Sequence, residues 1–514
     1  MSDRRLGPHS TGYLLAVTGL LFTPLPATAA GEPAFSVAPG QRQLFLDDHG
    51  IAGTENLTRT WHKPDKRGAV IRSSSPNMTI QTRSAPQWDP ADKVYRLWTL
   101  GTKAPLRQSA DGLHWIAGAS PNMRTDQVVI DPRDPDPRRR FKAAMTNRGF
   151  AVSPDGVNWT RLEVPVVQSF DEANFSYDPT HGLFIHTVKR TGPYGRSVAI
   201  AHSRNFKNWT DLGVVFHADE TDQVIGKRRI LERKKNLRLQ QTEYDVPSTY
   251  SVQIYNMGVF HYEGLYIGLP SIYHHTGRVP KTWPGFDKQN LSPEILKLVR
   301  MYGDYTGFYN IQVAWSRDLK TWTRDRHRPT FLETSPLGAG AYDTQTIIGP
   351  SAPVVRDDEL WFYYTGIRSY AFVTSGSVPG YDDYRPDSGA VCLAILRRDG
   401  FVSLDAGNTT GTLTTRTFQL PDGRLTVNVH PGKGGQLTID LLNKNNKALA
   451  TSKPITTNQF RGTLEWAAGD PGKLTGQTVS LRIRFRRARL YSYWFQPPAG
   501  CSLTDDGNKK SVRR

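Results

Sequence analysis

One short pattern, Ser, two residues on an Asp or Asn, and four further on a Trp, returns four times along the chain. It reads Ser109-Ala-Asp111-Gly-Leu-His-Trp115, Ser153-Pro-Asp155-Gly-Val-Asn-Trp159, Ser203-Arg-Asn205-Phe-Lys-Asn-Trp209 and Ser316-Arg-Asp318-Leu-Lys-Thr-Trp322. Self-similarity at a fixed internal spacing is the mark of a repeat architecture. The residue types have a physical reason: an Asp or Asn side chain accepts hydrogen bonds from backbone N–H groups across a tight turn, and Gly supplies the dihedral that other residues resist. The Trp is then free to pack between neighbouring sheets. These residues therefore build hairpins, and the Asp members are structural rather than catalytic.

Ahead of each hairpin lies a strand, a turn and a second strand ending in aromatics. Trp88-Asp89 leads to Tyr95-Arg-Leu-Trp98, Val128-Val-Ile-Asp131 to Phe141, Asn174-Phe-Ser-Tyr-Asp178 to Leu183, and Met257-Gly-Val-Phe260 to Leu265. A fifth pair, Ala352–Val355 with Leu360–Tyr364, precedes the degenerate hairpin Arg397-Arg-Asp-Gly400. Trp115 and Trp159 are 44 residues apart and Trp159 and Trp209 are 50 apart, a length that suits a four-stranded blade. The next interval is 113 residues and must hold insertions. One is the basic stretch Lys227–Arg238. The other spans Pro280 to Thr306, where Ser292-Pro-Glu-Ile-Leu-Lys reads as the start of a short helix with Ser292 as cap. Past Ala406, alternating strands separated by Gly, Asn and Asp clusters predict a β-sandwich. The expected fold is all-β: a five-bladed β-propeller over 31–408, a β-sandwich over 409–499 and a disordered tail over 500–514.

Residues 1–30 read as an export signal, with Arg4 and Arg5, the apolar run Tyr13 to Phe22 and a small-residue exit at Ala27 to Ala30. This predicts a secreted or periplasmic protein. No later apolar run approaches the roughly 20 residues that a membrane-spanning helix needs, so membrane insertion is not expected. The two cysteines, Cys392 and Cys501, admit at most one bridge and no cysteine metal site. The formal charge is +18, yet the basic residues gather in separate clusters rather than as a reader of nucleic acid. A solvated basic surface or an anionic glycan partner accounts for them, and no nucleic-acid partner is expected.

The Ser-Arg-Asp-Leu-Lys-Thr-Trp form at 316–322, in a five-unit ring followed by a sandwich, resembles glycoside hydrolase families 32 and 43. Gln43-Leu-Phe-Leu-Asp-Asp48 and Leu490-Tyr-Ser-Tyr-Trp-Phe495 are also similar to an uncharacterised bacterial family-32-like group. The resemblance implies carboxylates at the heads of innermost strands, around a funnel at one end of the axis. Glycosidic cleavage needs one acid to protonate the leaving oxygen and a second carboxylate to attack the sugar or activate water. Carried onto this chain, the rule gives Asp126 in unit two, Asp171 and Glu172 in unit three and Asp343 in unit five. Unit one carries no acid at this place, so Asp48, at the chain's approach to the ring, is a further catalytic candidate. Arg83, Gln127, Gln253, Tyr255, Asn256 and Gln345 are candidate substrate-binding residues, since amides, phenols and aromatic faces suit sugar hydroxyls and C–H surfaces.

The expected function is a secreted glycoside hydrolase acting on a polysaccharide or oligosaccharide. Two rivals are a polysaccharide lyase, with Tyr255 or His261 abstracting the proton beside a uronate, and a glycan-binding ring without activity. No cofactor or metal is expected. Asp131-Pro-Arg-Asp134-Pro-Asp136 lacks calcium-loop spacing and reads as a solvated turn, and His274-His275 lacks a partner at zinc spacing and reads as a loop pair.

Overall fold

The computed structural model describes residues 35–73, 79–102, 104–125, 127–242, 244–288, 291, 293–338, 340–368 and 388–498. The export signal, the tail, Asp126, Ser292 and Cys501 lie outside the described residues. Cys392 is buried within blade five.

Five antiparallel sheets form the blades, each running from an innermost to an outermost strand. Blade one starts from Gln87–Asp89, blade two from Gln127–Ile130, blade three from Ala173–Asp178 and blade four from Ser251–Tyr262. Blade five starts from Thr346–Ile348 and Val354–Val355, continues through Glu359–Ile367 and Gly389–Arg397, and takes its outermost strand, Asp65–Arg72, from the N-terminal part of the chain. That pairing closes the ring.

The repeated hairpin does what its residue types require. Asp111 Oδ1 accepts the backbone N–H of Leu113 at 2.7 Å and of His114 at 2.9 Å. Asp155, Asn205 and Asp318 repeat the pattern. The position after the Asp or Asn is left-handed in every copy: φ is +83° at Gly112 and +77° at Gly156, and Phe206 and Leu319 adopt +57° and +65° without being glycine.

Each hairpin Trp then packs on the preceding blade. Trp159 meets Trp98 with ring centroids 6.4 Å apart, Trp209 stacks on Phe150 at 4.5 Å, Trp322 meets Phe216 at 6.3 Å, and Trp115 reaches back to Tyr363 of blade five at 5.8 Å. Blade five has no hairpin Trp. Its turn at Asp399 instead sends the chain into the C-terminal sheet, and Trp61, four residues before the closing strand, packs on Trp315 of blade four at 5.9 Å. The fifth hairpin is degenerate because its work has passed to the N-terminal segment.

The C-terminal sandwich is built on two long strands, Arg424–Leu442 and Thr478–Gln496, paired along most of their length. Their register breaks between Pro431 and Gln436, where four of the five residues at 431–435 are Pro or Gly. The pair bends there and serves both layers: Gly411–Thr415 and Ala448–Ser452 extend one half, Val402–Ala406 and Gln459–Thr463 the other. Ile51–Glu55 pairs with Gly411–Thr415, and Thr58–Trp61 with Val402–Ala406. These two strands fall within the stretch assigned to the ring by sequence, but the first pass of the chain runs along the sandwich before it closes blade five.

One apolar core runs from blades four and five into the sandwich. At this junction buried Asp399 accepts from Arg42 at 2.6 Å, Tyr262 at 2.5 Å and Ser492 at 2.6 Å. Burial alone would raise its pKa, but Arg42 and Arg398 hold it below the ordinary carboxylate value.

The two long insertions are helical. α1 (Glu220–Lys235) is closed by a reciprocal Asp219–Asp222 capping box. Its buried positions are Asp222, Gly226, Ile230 and Arg233, a helical face that carries one large apolar residue, which is why no apolar periodicity marked it. α2 (Pro293–Tyr302) is the helix expected from sequence. Among the described residues no helix is long and apolar enough to cross a membrane.

Two predictions follow from the seams. Trp159→Ala removes a buried ring between blades one and two and is expected to cost about 3–5 kcal/mol, measured by chemical denaturation. His186, beside Phe150 and Trp209 in the next seam, is fully buried, and its burial pushes the pKa down to about 4. An unfolded chain takes up that proton near pH 6.5 and the native chain does not. The melting temperature should therefore fall as pH drops from about 6.5 toward 4, and His186→Gln should flatten that slope.

Candidate active site at the mouth of the ring

In every blade the innermost strand runs from one face of the ring to the other, and pairing of successive strands decides what lies at each end. Glu172 precedes Ala173–Asp178, and Asp178 pairs with Leu183 at the far end. Ser203, which opens the blade-three hairpin, pairs with Phe184 and so shares that far end. The hairpins therefore mark the base of the ring, and the heads of the innermost strands mark its mouth.

At the mouth, Arg83 of blade one reaches past blade two to Glu172 of blade three. Its Nε donates to Oε2 at 2.5 Å and its Nη2 to Oε1 at 2.6 Å, with both residues buried. Burial works against the Arg83 charge, but Glu172 outweighs it and raises the guanidinium pKa. The fork fixes the Glu172 carboxylate in one plane, as bidentate guanidinium contacts do. Beside it, Lys189 Nζ donates to Asp171 Oδ1 at 2.6 Å and sits 3.5 Å from the centre of the Tyr255 ring. Burial lowers the Lys189 pKa against the pull of Glu172 and Asp171. Tyr255 is the extra residue of a bulge between Ile254 and Asn256, the device by which a strand re-aims one side chain.

Arg83, Asp171 and Glu172 belong to the wall of a basin of about 380 Å³, completed by Arg124, Gln127, Asn147 and Arg148 with Leu100 and Thr146. Its size falls within the roughly 300–1,000 Å³ range of small-ligand sites. Below it the axis is filled. Ser351 Oγ donates to the Arg83 carbonyl at 2.6 Å, Asn174 Nδ2 donates to the same carbonyl at 3.2 Å, and Asn256 Nδ2 donates to Asn174 Oδ1 at 3.0 Å. A Cβ on Gly258 would lie 1.8 Å from the Pro350 carbonyl oxygen, so blades four and five meet closely there. The ring is a cup, not a channel.

The sequence candidates divide. Arg83, Gln127 and Glu172 line the basin, whereas Tyr255 lies against Lys189, the partner of Asp171, and is not part of its wall. Asp126, next to Gln127, lies outside the described residues. Asp343 does not face this group. Its carboxylate accepts from Tyr364 at 2.8 Å and Lys66 at 2.7 Å, partners on the second and fourth strands of blade five, so it points outward along the blade. Asp48 belongs to the other end of the molecule: it pairs with Arg59 and lines a surface groove with Asp47, Arg317 and Arg416. Arg317 is a residue of the blade-four hairpin and hence of the base.

The amide candidates are largely occupied by the scaffold. Gln127 Nε2 donates to the Ala173 carbonyl, Gln345 Nε2 to that of Gly307, and Asn256 to Asn174. Gln253 accepts from Arg196 Nη1 at 2.7 Å, between blades three and four. His261 lies one residue from the end of the innermost strand of blade four, Ser251–Tyr262, at the base, so it takes no part at the mouth.

Two other expectations are corrected. His274 and His275 are not loop residues but lie buried in the strand Leu265–Val279. Asp131 and Asp134 are not a solvated turn, for both ion-pair with the buried Lys142. Residues missed at the mouth are Lys189, Arg124, Asn147 and Arg148. Lys189 follows the strand-like run Phe184–Val188 and is itself followed by Arg190, so nothing in sequence singled it out. The other three sit in turns whose convergence depends on ring closure.

No family model and no curated protein matches the chain. Among solved structures, a protein described as a glycoside hydrolase matches with TM-score 0.37 and 12% identity over 65% of this chain and 92% of its own. A family 32 β-fructofuranosidase from Bombyx mori matches with TM-score 0.35 and 9% identity over 84% and 94%. The catalytic domain of a family 62 α-L-arabinofuranosidase from Coprinopsis cinerea matches with TM-score 0.35 and 11% identity over 65% and 97%. The assignment of the ring rests on the strand pairing above.

The Arg83–Glu172 fork carries its own prediction. Arg83→Met strands a buried carboxylate and should destabilise the chain by about 3–5 kcal/mol, whereas Glu172→Gln keeps hydrogen-bond acceptance at one oxygen and should cost less. Denaturation midpoints of the two variants test this.

Proposed function

We propose that the basin at the mouth binds carbohydrate and that the protein is a glycoside hydrolase whose working carboxylate is Glu172. The observation that carries this reading is the placement of Glu172: buried, held in one plane by Arg83, and bordering a cup lined almost wholly by hydrogen-bonding side chains. Hydrolysis needs a second carboxyl group across the scissile bond. Asp171 borders the same basin and Asp126 adjoins it in sequence, and these are the two candidates for the partner role. Arg124 and Arg148 on the rim favour a sugar bearing a carboxylate or sulfate, in line with the chain's excess of basic residues. The signal-like sequence at 1–30 supports reading it as an exported enzyme.

A second reading is favoured by one specific observation. Blade one offers Arg83 where the resembling hydrolases carry an acid, so the cup would bind a glycan without cleaving it.

A panel of neutral and uronate-containing polysaccharides decides between the two readings, and Glu172→Gln tests the residue on any glycan that is cleaved. Release of reducing ends by wild type, with a loss of about 100- to 10,000-fold in kcat in the variant, supports the hydrolase. Binding by calorimetry with no reducing ends and no ultraviolet-absorbing unsaturated product supports the silent cup. Full activity in the variant removes Glu172 from the mechanism.

A further inference from the structure

Three blades open their first turn with the same dipeptide: Asp89-Pro90 in blade one, Asp131-Pro132 in blade two and Asp178-Pro179 in blade three. In each, the Asp caps backbone N–H groups of the turn and its carboxylate is almost wholly buried. Buried carboxylates need a cation. Asp89 has Arg96 at 3.1 Å and Arg140 at 2.6 Å, and Asp131 has Lys142 at 2.8 Å.

Blade three departs from this rule. Among the described residues no lysine or arginine pairs with Asp178, whose side chain has 0% exposure. Its place is taken by two imidazoles. His181, in the same turn, puts Nδ1 2.6 Å from Oδ2, and His261, from the innermost strand of blade four, puts Nδ1 3.4 Å from Oδ1. Tyr266 donates its hydroxyl to Oδ2 at 3.1 Å. Arg204 is nearby but donates to the His181 carbonyl. One ligand atom from each of Asp178, His181 and His261 lies within 4.8 Å of the others.

We propose that Asp178, His181 and His261 form a binding site for a divalent transition ion of the zinc type, which supplies at blade three the cation that Arg96, Arg140 and Lys142 supply at blades one and two. Two imidazoles and a carboxylate suit zinc and cobalt, while calcium and magnesium prefer all-oxygen sets. Tetrahedral zinc with bonds of roughly 2.0–2.1 Å holds its ligand atoms roughly 3.3 Å apart. His261 Nδ1 stands 3.4 Å from Oδ1, close to that value, and His181 Nδ1, 2.6 Å from Oδ2, must move outward to seat an ion, which its half-exposed ring leaves room for. That exposure also leaves the fourth position to water. Tyr266 fixes the carboxylate from behind, the outer-shell role such hydroxyls take.

The site is separate from the mouth. The six residues of Ala173–Asp178 stand between it and Glu172, an extended length of roughly 20 Å. Its ligands come from two blades, so the ion pins the base of the seam between blades three and four, and it takes no part in the chemistry proposed at the cup.

The test uses the full chain, stripped with a chelator and dialysed. Titration with Co²⁺ should give visible d–d absorption that saturates at one equivalent and is displaced by Zn²⁺, and Zn²⁺ should raise the melting temperature. His181→Ala, a change at an exposed ring, should weaken binding at least tenfold and abolish the thermal shift, with His261→Ala doing the same. Glu172→Gln should bind as wild type does. No Co²⁺ spectrum and no Zn²⁺ shift in wild type overturns the proposal, as does undiminished binding in His181→Ala.

Discussion

The ring depends on one contact made over and over, an aromatic ring from the outer hairpin of four of the five blades laid against the blade before it. Trp159, Trp209 and Trp322 make three of these seams and Trp115 carries a fourth around to blade five. Each Trp is placed by a turn in which a carboxylate or amide satisfies the local backbone N–H groups. Without a side chain to absorb those donors, the left-handed residue that follows would have no reason to persist. Local turn chemistry and long-range packing therefore call for the same seven residues, the agreement across levels that specifies a fold.

Closure has consequences for chemistry. Only in a closed ring does Arg83 of blade one come within hydrogen-bond distance of Glu172 of blade three, with blade two between them in sequence and space. The same closure lets Ser351 of blade five and Asn174 of blade three share the Arg83 carbonyl, which seals the axis beneath the basin. The mouth and the base then serve different ends. The mouth gathers polar groups over a rigid floor, and the base pairs buried carboxylates with arginine or lysine and, at Asp178, with two imidazoles and a tyrosine hydroxyl.

Much of this was legible in the sequence. The hairpin pattern displayed four of the five blades, their length and the position of the insertions, because each residue in it answers to a neighbour a few positions away, and the strand pair Ala352–Val355 with Leu360–Tyr364 supplied the fifth. α1 was not legible, since the face it buries is made of Asp222, Gly226, Ile230 and Arg233 and is held by ion pairs to Arg324 and Arg328. The N-terminal strands were placed in the ring because nothing in Ile51–Trp61 distinguishes a strand of the sandwich from one of a blade. At the candidate site, Glu172 could be found from its place before an innermost strand. Asp343 has the same place, yet its carboxylate turns outward to Tyr364 and Lys66, a direction set by partners more than 20 residues away in the chain. Asp48 failed for a different reason: it lies near the ring in sequence but at its base in space.

The proposed function requires that the cup beside Arg83 and Glu172 be the place where carbohydrate is held. A crystal structure of the protein soaked with oligosaccharide fragments, neutral and acidic, tests this most directly. The expected result is a sugar ring seated among Asn147, Arg148 and Asp171 with a hydroxyl or ring oxygen within hydrogen-bond distance of Glu172. A sugar bound instead in the basal groove beside Asp48 and Arg317, with the mouth bare, would contradict it.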